Sequence, residues 1–136
     1  MTKVINGEGA VLGRLAVYVA KESLKGESIN VVNCEKIIIT GRKKGIKDKL
    51  EERRTKVGSG QKGPKHSRLS ERIVKRAIRG MLPNHRKGRG EEAFRRIKCY
   101  NGIPKEFEKS KKINMEKKDV GKSVTIKEMS IWKAEK

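Results

Sequence analysis

The stretch KVINGEGAVLGRLAVYVAKESLKGESINVVN, residues 3–33, decides the fold. Lys3–Asn6 is a short strand candidate that ends in Gly7-Glu8-Gly9. From Ala10 to Leu24 the apolar residues cover most of a helix circumference, which predicts a helix packed closely against a sheet. Gly26 supplies a C-terminal stop, and Ile29–Asn33 reads as a second strand. Ile37–Thr40, closed by Gly41, is a third short extended piece. Strand, helix and strand in this order make a βαβ unit, so the first two strands are expected to run parallel.

The glycines at 7, 9 and 13 invite a dinucleotide-binding reading, with Glu35 near the position of the ribose-binding acid. The spacing G-x-G-x-x-x-G is one residue longer than that fingerprint. A tight turn with close helix–strand contact accounts for the glycines better. A nucleotide-binding enzyme using the Gly7–Gly13 turn therefore stands as the alternative, since a helix N-terminus there could face a phosphate.

Outward from this unit, Arg68–Leu82, followed by Pro83, predicts an amphipathic helix. Leu69, Ile73, Val74, Ala77, Ile78 and Met81 form one apolar stripe. Arg68, Arg72, Lys75, Arg76 and Arg79 share the opposite arc, about 100° wide at 100° per residue, with Glu71 at its border. A solvated helix face usually alternates Glu with Lys at i,i+4. Five cations without that relief point to a polyanionic partner.

Composition agrees. The chain has 136 residues, a formal charge of +20 and 34% apolar residues, enough for one domain with a compact core. Residues 42–98 hold 21 basic and 6 acidic residues, so +15 of the charge is concentrated there. Such self-repulsion fits a chain that works beside a polyanion that neutralises it. No apolar run reaches the ~20 residues of a membrane span, and no amphipathic helix has the bulky anchors of a membrane-surface helix. Arg14 and Glu8 spoil the N-terminal segment as a signal peptide. Cys34 and Cys99 stand without a CxxC pair, as expected of reduced cytoplasmic thiols, although two cysteines could bridge.

Two basic, glycine-bearing loops bracket the central helix. Val57–Pro64 leads through Lys62, Lys65 and His66 into it, and Asn84–Gly90, with His85, Arg86, Lys87 and Arg89, follows it. Glycine lets backbone N–H groups approach phosphate while the cations supply charge. These residues, with Arg68, Arg72, Lys75, Arg76 and Arg79, are the expected phosphate contacts.

Elsewhere, residues 42–57 are helix-prone, with only Ile46, Leu50 and Val57 spaced to reach a core. Glu91 and Glu92 open a short helix whose buried side is Ala93, Phe94 and Ile97, and Cys99-Tyr100 reads as a last strand before a turn at Asn101-Gly102. Residues 105–119 are Lys/Glu-rich and weakly patterned, an expected exposed connection with some helix. Thr125-x-x-Glu128 is a capping box for a terminal helix carrying Ile126, Met129 and Trp132. Residues 1–119 are thus expected to form the basic core domain, and 120–136 a C-terminal helix packed on or beside it.

Neither His66 nor His85 has a spaced nucleophile or carboxylate, and no metal-ligand spacing occurs, so catalysis, cofactors, metals and a small-molecule substrate are not expected. The aromatics Tyr18, Phe94, Tyr100, Phe107 and Trp132 do not cluster, which favours grip through backbone and shape over splayed bases. A DNA-packaging protein is a further alternative.

Four blocks carry a family resemblance: GAVLGRLA (9–16), VVNCEKIIITG (31–41), RGMLP (79–83) and YNGIP (100–104). In this order they resemble the L-thirteen family of universal large-subunit ribosomal proteins over roughly residues 4–107, in its archaeal and eukaryotic form. The resemblance implies a three-layer α/β/α single domain with a small, mainly parallel four-stranded sheet. It also implies a structural constituent of the cytoplasmic ribosome that binds large-subunit (23S-type) rRNA, supports subunit assembly and touches neighbouring ribosomal proteins. Arg68, Arg72, Arg76 and Arg79 fall where the family has basic residues. Relatives of this branch tend to have Ala-Pro-Ser before the central helix and aromatics within it. This chain has Leu69-Ser70-Glu71 and Val74-Lys75, which leaves the helix start between Ser67 and Ser70.

Overall fold

The computed structural model describes residues 1–56, 60, 63, 65–115 and 120–132. Strand β1 (Thr2–Asn6) leads into helix α1 (Leu12–Leu24) and strand β2 (Ser28–Val32). β1 and β2 pair in parallel, Val4 opposite Asn30 and Ile5 opposite Val31, as the βαβ spacing predicts. A 3-10 turn at Cys34–Lys36 and strand β3 (Ile38–Thr40) follow. Next come the helices α2 (Lys43–Thr55), α3 (Ser70–Gly80) and α4 (Gly88–Arg95), which runs into strand β4 (Ile97–Cys99). The chain then forms a 3-10 turn at Lys105–Phe107, strand β5 (Lys112–Asn114), strand β6 (Ser123–Thr125) and helix α5 (Ile126–Ile131).

The main sheet has four strands in the order β4-β2-β1-β5, all parallel, within a single α/β fold. Side chains alternate between faces, and the register places Ile5, Ile29, Val31, Ile97 and Ile113 on one of them. That face packs with Leu15, Ala16 and Val19 of α1 and Val74 and Ile78 of α3 in the main core. Val4 and Val32 point the other way and are also buried, so both faces are covered. The path from β1 through β2 to β4 moves in one direction across the sheet. The return to β5 moves in the opposite direction, to the other edge of the sheet.

The differences from the sequence reading have local causes. The central helix covers 70–80 rather than 68–82, because Leu69 is extended (φ −69°, ψ 130°) and Ser67 Oγ accepts its N–H at 3.2 Å. Arg68 therefore precedes the helix, and Leu69 and Met81, expected in the apolar stripe, are 47% and 43% exposed. In α1 the buried stripe is narrower than expected, since Val17 and Leu24 face outward. The second basic loop ends early, with α4 starting at Gly88 rather than Glu91. Gly90 permits this, because a Cβ there would fall onto the carbonyl oxygens of Pro83 and Asn84. Ile97 belongs to β4, not to the preceding helix, and is fully buried. Cys99-Tyr100 is not the last strand, since the sheet's edge strand β5 lies inside the stretch read as a connection.

Two further contacts shape the ends. Thr125 caps α5, its Oγ1 accepting the Glu128 N–H at 3.3 Å, as the capping box predicts. Val124, Ile126 and Met129 join the main core, and β6 pairs antiparallel with β3. Arg54 of α2 donates from Nη1 to the Trp132 carbonyl (2.8 Å) and from Nη2 to that of Met129 (3.5 Å), where a helix end favours a cation.

Candidate nucleic-acid interface

Helix α3 divides between two environments. Val74 and Ile78 enter the core completely, each worth about 1.5–3 kcal/mol of apolar transfer. The opposite side lines a groove of about 590 Å³. Arg72 is exposed at its edge, while Lys75, Arg76 and Arg79 are half-buried. The segment before the helix runs back along it, so that Arg76 Nη1 donates to the Lys65 carbonyl at 3.5 Å. Lys65, His66 and Ser67 therefore form one wall, and Arg53 of α2 adds another cation. The apolar floor includes Leu12, Ile39, Leu50 and Phe94.

Arg53, Lys65, Arg72, Lys75, Arg76 and Arg79 line this groove with no acid among its described lining residues. The consequence appears at His66, whose imidazole is held below its ordinary pKa by burial and by Arg76, Arg53, Arg54 and Arg79. Burial and Arg68 likewise lower the Arg54 guanidinium. A cleft of uncompensated cations with low-dielectric walls is an anion site, strongest for a chain of phosphates.

The second basic segment joins from the far side. His85 meets Phe94 edge-on (6.2 Å between ring centroids), and Lys75 Nζ lies 4.8 Å from the centre of the same ring. Arg86, Lys87 and Arg89 are exposed and outside the groove lining, with Arg89 in the first turn of α4. Arg68 also lies outside the lining, and Lys62, with most of the Val57–Pro64 loop, lies outside the described residues. Sequence reasoning missed Arg53 in the groove and Arg54 behind it, which donates to the chain's own carbonyls. The available signal was their position three and four residues after Leu50, the helix face that reaches the core.

The glycine turn at 7–13 is occupied by its own chain. A Cβ on Gly7 would approach Ile37 Cγ1 to 2.7 Å, and the Gly7 N–H donates to the Val32 carbonyl at 2.9 Å. Glu35 accepts the Gly102 N–H at 2.9 Å, so the acid considered for a ribose fastens the turn at Asn101-Gly102 instead. Among the described residues, no group of three or more His, Cys, Asp or Glu could hold a metal ion, and no helix is long and apolar enough to cross a membrane.

Residues 1–106 match the family described as Ribosomal protein L13. The chain belongs to that family. It is 45% identical over 130 residues to the large ribosomal subunit protein uL13 of Methanocaldococcus jannaschii, covering 93% of each chain. It is 52% identical over 104 residues to uL13 of Methanococcus maripaludis, covering 74% of this chain and 75% of the relative. To uL13 of Archaeoglobus fulgidus it is 43% identical over 133 residues, covering 93% of this chain and 84% of the relative. The L13 family consists of ribosomal proteins, not enzymes, so the nucleotide-dependent reading of the glycine turn falls. The L13 match ends before β5, β6 and α5.

Proposed function

We propose that this chain is a structural constituent of the large ribosomal subunit that binds 23S-type rRNA and supports subunit assembly in the cytoplasm, beside neighbouring ribosomal proteins. The RNA backbone lies along the outer side of α3. Arg72, Lys75, Arg76 and Arg79 meet phosphates there, and Lys65 and His66 close over them from one wall. Lys62, Arg68, His85, Arg86, Lys87 and Arg89 extend the contact to either side. Residues 1–119 carry this surface, and 120–136 are a C-terminal extension, of which Ile126 and Met129 reach the core. One observation carries the reading: six cations converge on one groove with no acid among its described lining residues. Phosphate contacts position a protein without reading sequence directly, so affinity is expected to depend on salt more than on base identity.

The test is binding of the full chain to folded 23S-type rRNA fragments, with duplex DNA as competitor, across a salt series. Preference for folded rRNA, with log affinity falling linearly against log salt, supports the reading. Equal affinity for duplex DNA favours a DNA-packaging role, and salt-independent binding removes the phosphate account altogether.

A further inference from the structure

Cys34 and Cys99, the chain's two cysteines, play no part in the cationic groove. The fold nevertheless brings them together. Cys99 ends β4 and pairs with Val31 of β2 in parallel register. Cys34 lies in the 3-10 turn just beyond β2, and its Sγ donates to the Val31 carbonyl at 3.7 Å. The same carbonyl accepts the Tyr100 N–H at 2.8 Å, and the Cys34 N–H donates to the Tyr100 carbonyl at 3.2 Å. The backbones beside the two cysteines are thus joined in both directions, which sets the two residues side by side. Disulfides need Cα atoms about 4.4–6.8 Å apart, a separation typical of segments joined in this way.

A buried free cysteine ordinarily serves as a small apolar side chain. Here the pair has two further properties. Cys34 is fully buried while Cys99 is half-buried, so one thiol is reachable and the other waits behind it. The segment between them, residues 35–98, contains every expected RNA contact from Lys62 to Arg89 and also Arg53.

We propose that Cys34 and Cys99 form a reversible intramolecular disulfide that closes the base of the segment carrying the cationic groove. The oxidant is itself a disulfide, of a small thiol or of a protein. The Cys99 thiolate attacks it, forming a mixed disulfide and releasing one thiolate. Cys34 then gives its proton to solvent and attacks Cys99 Sγ, displacing the second thiolate. Both released thiolates take up protons, so two thiols of the chain become one disulfide while the oxidant becomes two thiols. The neighbouring Cys99 sulfur and burial hold the Cys34 thiol protonated in the reduced chain, which makes Cys99 the point of entry. Cross-linking so long a segment restricts the unfolded chain and stabilises the native one.

Oxidised glutathione added to the reduced full chain, followed by alkylation in denaturant and intact-mass measurement, tests this. The expected product is lighter by two hydrogens, carries neither glutathione nor alkyl groups, and melts about 10 °C higher until dithiothreitol is added. Cys34→Ala is expected to stop at a single glutathione adduct on Cys99. Two adducts on the native chain, two alkylated thiols after oxidation, or a covalent dimer would overturn the proposal. Should Cys34→Ala not fold, the wild-type mass decides alone. This outcome is independent of RNA binding, so the two proposals can fail separately.

Discussion

The body around α1 and the groove around α3 treat charge in opposite ways. In the body, Glu22 lies against the sheet and is held by Lys3 and by Lys25, whose Nζ is 2.8 Å away. Those ammonium groups, Lys25 foremost, keep its carboxyl down at about 2. Lys3 is correspondingly raised, chiefly by its hydrogen bond to Glu22. In the groove, cations face cations, and the one imidazole among them is pushed toward its neutral form. Charges balanced within the fold serve its stability, whereas charges left unbalanced in a shaped cleft are an interaction surface whose counter-charge lies outside the molecule.

The comparison breaks most severely if the two sides of α3 cannot be separated by mutation. Ile78→Ala, on the inner side, is expected to cost about 2–5 kcal/mol of folding stability in urea titration while the folded fraction keeps its RNA affinity. Arg72→Glu with Arg79→Glu, on the outer side, is expected to do the reverse. RNA affinity falls roughly 100-fold and the salt slope becomes shallower, while the melting temperature holds or rises because repulsion is relieved. A melting temperature that drops with the charge reversal would mean that these arginines belong to the body after all.

A smaller effect is expected at the junction. Arg54→Ala removes the donor to the carbonyls of Met129 and Trp132. Unfolding free energy should fall by about 1 kcal/mol, and amide exchange around α5 should quicken. RNA affinity should move less than for the α3 reversal, because the guanidinium is spent on the protein's own backbone.

The smallest effects separate the two regions by pH. Glu22 has a folded pKa below its ordinary 4.5, so its contribution is present above 4.5 and is lost as pH falls toward 2. Glu22→Gln should flatten that limb of the stability profile. His66 is also depressed, but as a base it is harder to protonate in the fold, so a destabilisation sets in as pH falls through 6.5. His66→Gln should remove this second limb from the free chain. Denaturation curves collected at a series of pH values distinguish the two limbs, and overlap of both in one window would contradict the division.

Several features were legible because they rest on short-range rules. The βαβ order follows from periodicity and the glycine punctuation, and the capping box is a four-residue contact. The cationic side of α3 follows from counting at 100° per residue, which holds wherever the helix starts. Strand β5 was hidden because three residues in a Lys/Glu-rich stretch carry no alternation strong enough to announce an edge strand; its pairing with β1 supplies what its sequence lacks. Helix α4 was misplaced at its start because glycine disfavours helix locally, whereas here Gly90 is required by the carbonyls packed on it.

The sequence by itself determined the charge surplus, its concentration in residues 42–98 and the helix that segregates it, since these depend on composition and helical geometry alone. Tertiary structure decided which cations share a groove, drawing Arg53 in and leaving Arg68, Arg86, Lys87 and Arg89 outside its lining. It also decided that Cys34 meets Cys99. Convergence of side chains from distant segments depends on how strands and helices dock, and linear spacing does not encode docking.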